Sequence, residues 1–333
     1  MRRLDVHLKA DDRFDTVIRA IKASEPVDYY VLETGQRDRK LVSVFVREGM
    51  EQTLMDNLQS ALEGPDDWRI AILPIEATAP KLAEAKDGKQ AKATQATREE
   101  IFSDVSAGAR LDRNFAVMVI LSTIVAAIGL NSDGMAAVIG AMVIAPLLGP
   151  VLGFSMGAAL GDFDLLKRAS VTLAAGIGTA LACSLVLSFM LPINLESHEL
   201  MSRAEVRLDG LALAMAAGGA AALSLTRAEA SALVGVMVAA ALLPPGAAVG
   251  LFAGAGEWAL ALRAGLLLAL NVVALILSAL IVFRLRRIRP RKWIEQKNAD
   301  RAVWLNAVLS AFFLLVSVFL ILYLDLGAKV SLG

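Results

Sequence analysis

From residue 114 to 283 the chain is almost wholly Ala, Leu, Val, Gly and Ile, while its charged residues crowd into 1–113 and 284–301. An apolar tract this long must cross a bilayer repeatedly as helices, because a helix satisfies its backbone amides internally where no water is present. Its segments fall at roughly 114–130, 135–160, 169–191, 208–226, 230–254 and 263–283, and a seventh follows at 303–324. Most approach the ~20 residues that a spanning helix requires. The expected fold class is an α-helical polytopic membrane protein of seven spans, preceded by a soluble domain.

That soluble domain, residues 1–76, reads as α+β. Leu4 to Leu8 alternates apolar with polar residues, and Phe14, Val17, Ile18 and Ile21 recur at helical spacing. Strand-like VDYYVLE and KLVSVFV follow, then a helix with Leu54, Met55, Leu58 and Leu62 on one face, then WRIAILPI. The order βαββαβ predicts a ferredoxin-like sandwich, an arrangement suited to oligomerisation or small-ligand binding. Residues 77–96 are polar and rich in Ala and Lys, as expected of a linker. Thr97 and Glu100 then form a capping-box pattern ahead of Ile101, Val105 and Ala109, which predicts a short amphipathic helix at the membrane surface.

The formal net charge of zero averages two compartments and excludes nothing. Orientation follows from local Lys and Arg. Arg110, Arg113, Lys167, Arg168, Arg227 and the run RLRRIRPRK at 284–292 fall on one side, against Arg203, Arg207, Arg263 and Lys329 on the other. The expectation is a cytoplasmic (inner) membrane protein of a prokaryote, with its N-terminus inside and its C-terminus outside. The basic run would contact anionic lipid. The opening MRRLDVHLKADD has no apolar run behind its arginines, so no cleavable signal peptide is expected. A single cysteine, Cys183, excludes an intrachain disulfide, and with two histidines far apart in sequence no His-based metal centre is expected.

Shifting the chain by 95 residues aligns the stretch from Ala136 with that from Ser231 without a gap. Gly140 meets Gly235, Met142 meets Met237, Pro150 meets Pro245, Gly161 meets Gly256 and Arg168 meets Arg263. Each copy is an elbow plus three spans, residues 97–191 and 192–283, with 284–302 a basic cytoplasmic connector and 303–333 an added helix and tail. Three is odd, so the second copy enters the membrane from the opposite side, giving a 3+3 inverted repeat. Pro146, Gly149 and Pro150 in one copy and Pro244, Pro245 and Gly246 in the other predict a broken central helix in each. Broken helices in matched positions point to a substrate or ion site near the midplane, although kinks in a purely structural bundle would leave the same pattern.

The segment NSDGMAAVIGAMVIAPLLGPVLGFSMGAALGD resembles a prokaryotic family of hydrophobic membrane proteins known as domain of unknown function 389. The resemblance covers about residues 97–250 and rests on the Gly-Ala-Met and Ala-Pro-Leu-x-Gly-Pro stretches. It implies a membrane protein and no particular activity.

Among single residues, Arg168 and Arg263 are candidate gating charges, though arginines at helix ends commonly snorkel, and Asp164 is placed for an ordinary pair with Arg168. Asp162 and Glu257, each after a glycine, are candidate acids at the two mouths. Asn131 to Gly134 reads as a polar turn. Asn271, a strong polar group inside an apolar helix, is expected to bond between helices or to touch a ligand. No nucleotide-binding loop, nucleophile motif or paired catalytic group appears, so neither an enzyme nor an ATP-driven pump is expected, and no cofactor or nucleic acid is implied. The leading expectation is a secondary transporter or channel for a small solute or ion, as a homo-oligomer with a regulatory or oligomerising soluble domain. The alternative is a non-transporting sensor or scaffold.

Overall fold

The computed structural model describes residues 1–9, 13–33, 39–47, 50–62, 67–75, 97–227, 232–286 and 288. The expected linker 77–96, most of the basic connector and the seventh apolar segment, 303–324, lie outside the described residues. The chain divides into two compact units, Met1–Ile101 and Phe102–Gly333.

The first unit runs β1 (Arg2–Lys9), α1 (Arg13–Ala23), β2 (Asp28–Glu33), β3 (Arg39–Val46), α2 (Glu51–Ala61) and β4 (Arg69–Pro74). The expected βαββαβ order is present, and the strands pair as an antiparallel sheet in the order β2-β3-β1-β4. Alternation puts Leu4, Val6 and Leu8 of β1 and Val42, Val44 and Val46 of β3 on one face. Val17 and Ile21 of α1 and Leu54, Met55 and Leu58 of α2 close over them. At about 1.5–3 kcal/mol for each large aliphatic side chain fully buried, this core offsets the ordering of a small domain.

Helix α3 (Arg98–Gly108) follows. Its first turn is bonded within the first unit: the Thr97 amide donates to Glu100 at 2.8 Å, the Glu100 amide to the Thr97 hydroxyl at 3.3 Å, and the Arg98 amide to Gln52 at 2.9 Å. Buried Arg2 is ion-paired with Glu100 and lies 4.0 Å from Glu51. The capping box is therefore real, and the first turn of α3 falls in the first compact unit.

The second unit contains α4 (Arg113–Asn131), α5 (Met135–Ile144), α6 (Leu148–Leu160), α7 (Phe163–Ser188), the short α8 (His198–Met201) with a 3-10 turn at Ser202–Ala204, α9 (Leu208–Thr226), α10 (Ala232–Gly254) and α11 (Trp258–Leu285). Among the described residues five helices are long and apolar enough to span a membrane, and the bent pair α5–α6, angled by 52°, makes a sixth if it is one span. Helix α10 is central and packs against α4, α5, α7, α9 and α11. Helix starts recur along the chain: α4 and α9 begin at Arg113 and Leu208, and α7 and α11 at Phe163 and Trp258, 95 residues apart in each case. The glycines before α7 and α11, Gly161 and Gly256, both have positive φ (68° and 81°). That conformation is open to glycine and strained for most other residues.

Candidate functional site

The two proline segments behave differently. In the first, α5 stops at Ile144, residues 145–147 are non-helical, and α6 restarts at Leu148. Pro146 sits in the gap. Pro150 lies in the first turn of α6, where its missing amide has no helical acceptor to disappoint. Gly149 permits close approach: a Cβ there would overlap the Gly108 carbonyl and sit 2.8 Å from its Cα.

The second segment is not broken, which corrects the expectation of a matched pair. Helix α10 runs through Pro244, Pro245 and Gly246 without interruption. The two prolines deprive the carbonyls of Ala240 and Ala241 of their i+4 donors. Asn271, in the middle of α11, replaces one of them: its Nδ2 donates to the Ala241 oxygen at 2.8 Å. The same 95-residue offset explains the contrast, since Pro146 corresponds to Ala241 and Asn271 to Gly176. The first copy has a proline where the second has Ala241, and it lacks the compensating amide.

Two cavities adjoin these segments. Between them lies a void of about 10 Å³, walled by Val119, Ala145, Leu147, Gly176, Leu243 and Gly246 among others. An apolar void of that size is at the lower limit for one water molecule and stays dry. A larger cavity of about 410 Å³ opens beside the second segment. Its wall carries Arg203, Glu205, Arg207 and Asp209 from the elbow and the start of α9, and Ala240, Ala241, Pro245 and Asn271 from α10 and α11. Arg203 pairs with Glu199 at 3.1 Å and Arg207 with Asp209 at 3.3 Å, while Glu205 makes no ion pair among the described residues. Asn271 is only 5% exposed, and its Oδ1 has no hydrogen-bond partner among the described residues.

The charge candidates are not brought together. Arg168 is exposed and lines an open cleft of about 650 Å³ with Arg110, Lys167, Asp112 and Asp164. The Asp164–Arg168 ion pair does not form, since two exposed side chains gain little from closing it. Arg263, half-buried in the second turn of α11, lines none of these cavities. Asp162 is the N-cap of α7, accepting from the Leu165 amide at 2.9 Å. Glu257 precedes α11 without a side-chain cap bond. The polar turn after α4 is a tie: Asn131 accepts from the Asn194 amide at 2.7 Å and donates to the Pro192 carbonyl at 3.0 Å, and Asp133 accepts from the Glu199 amide at 2.8 Å. Arg203, Glu205, Ala240 and Ala241 were not singled out by sequence as site residues. Counting back four residues from each proline would have found the last two.

Among the described residues no three His, Cys, Asp or Glu side chains cluster as a metal site. What the helices define is a polytopic α-helical membrane protein with a small antiparallel α+β unit at its N-terminal end. The chain belongs to the family of the domain of unknown function DUF389, whose profile matches residues 142–277 and so takes in both proline segments and Asn271. The uncharacterized protein MJ0678 of Methanocaldococcus jannaschii is 32% identical over 271 residues, covering 81% of this chain and 83% of that relative. No solved structure matches.

Proposed function

We propose that the chain is a secondary transporter or channel for a small solute or ion in a prokaryotic cytoplasmic membrane, with its site at the proline segment of α10. The carrying observation is the cavity of about 410 Å³ that joins the charged elbow at 203–209 to Pro245 and Asn271 in the middle of two apolar helices. A cavity of this volume is ligand-sized. Ionisable and strongly polar groups at membrane depth are costly, and cavities that reach them mark solute pathways. The recurrence of helix starts at a 95-residue offset supports an inverted repeat, in which the two elbows face opposite compartments. The Lys and Arg bias puts Arg110, Lys167 and Arg168 inside with the N-terminal unit, which would regulate or oligomerise the membrane part.

Purified chain in sealed vesicles tests this, with swelling and a potential-sensitive dye read over sodium, potassium, chloride and phosphate salts. Flux above that of empty vesicles is expected, altered by Pro150→Ala and by Pro245→Ala without loss of assembly. Flux unchanged by either variant would remove the proline segments from the pathway.

A second reading, a sensor or scaffold without flux, draws on the dry void of about 10 Å³ between the segments. A resting transporter is closed there too. Cavity access that never changes under any salt or voltage would favour the scaffold.

A further inference from the structure

We infer that the inner end of the α10–α11 cavity is a site for a monovalent cation, either an alkali-metal ion or a primary ammonium group. This deepens the transport reading and rests on it for the purpose of the site, though not for binding itself. The side-chain amide of Asn271 has a fixed orientation. A carbonyl can only accept, so the group facing the Ala241 oxygen at 2.8 Å must be Nδ2, and Oδ1 faces away as an acceptor. Among the described residues nothing donates to that buried oxygen, and left so it costs about 1–3 kcal/mol. Beside it in the same wall is Ala240, whose carbonyl Pro244 deprives of its helical donor. Asn271 and Ala240 both belong to the cavity wall, so neutral oxygens lie beside its inner end, where a cation or an N–H donor would meet them.

The outer wall decides the sign. Arg203 has an Nε with no partner among the described residues, which taken alone would favour an anion. Its charge, however, is already met by Glu199, and that of Arg207 by Asp209. Glu205 is left over, an exposed carboxylate at the mouth with no ion pair among the described residues, so the local balance is negative. Divalent ions are disfavoured, because Ca²⁺ and Mg²⁺ sites take carboxylate ligands and the inner end has none. A singly charged ion held by amide and backbone oxygens fits what is there.

The test is thermal unfolding of the purified full chain in detergent, titrated with LiCl, NaCl, KCl, NH₄Cl or methylammonium chloride against choline chloride at constant ionic strength. A saturable rise in midpoint with at least one small cation is expected, with apparent affinity weakened about tenfold or more in Asn271→Leu. Alkali ions acting alone identify a metal-ion site; ammonium and methylammonium acting alone identify an amine ligand. Should Asn271→Leu fail to fold, Asn271→Asp keeps the side-chain volume and makes the cation response pH-dependent, because a carboxylate there holds a proton or the cation but not both. Choline matching every small cation, a response that follows the anion, or one unchanged in both variants would overturn the site. Saturable cation binding without vesicle flux would leave the site and overturn transport. Vesicle flux together with no saturable cation response in the midpoint would do the reverse.

Discussion

The side-chain amide of Asn271 donates to the Ala241 carbonyl across 2.8 Å, supplying the hydrogen bond that Pro245, four residues further along α10, has no amide to make. The two residues thus act as one unit, and a double-mutant cycle can measure it. Asn271→Leu should destabilise the chain by about 1–3 kcal/mol through the orphaned carbonyl. Pro245→Ala returns an amide to that carbonyl, so Asn271→Leu should cost about 1 kcal/mol less in the Pro245→Ala background. Simple additivity in detergent unfolding would mean that Asn271 does not compensate for the proline.

Close approach at the first segment gives a steric prediction. Gly149→Ala puts a methyl into the backbone of Gly108, which cannot yield as a flexible side-chain end would. Overpacking of this kind costs about 1–3 kcal/mol. Gly140→Ala meets nothing within 4 Å and serves as the matched control. Thermal midpoints should fall for the first and hold for the second; equal midpoints would show that α3 and α6 are looser than the geometry states.

These two positions also show what a sequence can reveal. The α+β unit was legible because its information is local: alternation in Leu4 to Leu8 and helical spacing in Leu54 to Leu62 state which face is buried. The break at 145–147 was legible for the same reason, since Pro146, Gly149 and Pro150 lie together. Continuity at Pro244 and Pro245 was not. It depends on an amide thirty positions beyond Ala241, on another helix, and no local rule weighs Asn271 against a proline pair. The cavity escaped notice likewise, because half its wall is the elbow at 203–209, whose charges read alone as ordinary interfacial residues. Asp162, read from the sequence as a candidate mouth acid, also caps α7, a role that only the geometry showed.

In the N-terminal unit the acid limb of stability should carry the mark of Asp5. Two hydrogen bonds from the Arg3 guanidinium, at 2.8 and 2.7 Å, and one from the Ser43 hydroxyl hold its carboxyl below the usual range, against the opposing effect of burial. A depressed folded-state pKa means stability that is present above the ordinary Asp value of about 3.9 and lost as pH falls through the lower folded value. Asp5→Asn removes the titrating group. Amide exchange in β1 and β3 should therefore accelerate less on acidification in Asp5→Asn than in the parent chain. Asp67, held low by Arg13, acts with the same sign and will leave a residual slope. Identical acid dependence in the two proteins would show that Asp5 is not coupled to folding.

Thiol labelling can separate the wet side of the second proline segment from the dry one. With Cys183 replaced by Ser, a cysteine at Ala240 lies in the wall of the large cavity, whereas one at Leu243, 1% exposed, borders the void of about 10 Å³. A charged, membrane-impermeant methanethiosulfonate needs water and a thiolate, so it should modify A240C and spare L243C. The side of addition reports orientation. With the N-terminal unit inside, A240C reacts from outside, because its cavity opens at the elbow bearing Arg203 and Arg207. The unpaired Glu205 carboxylate adds a sign preference: a cationic reagent should outpace an anionic one by a factor that shrinks as salt rises, the mark of screened attraction. Equal rates at A240C and L243C would mean that water reaches both sides of the prolines and that the closed contact between the two segments does not exist. Reaction at A240C only from inside would invert the topology while leaving the cavity intact.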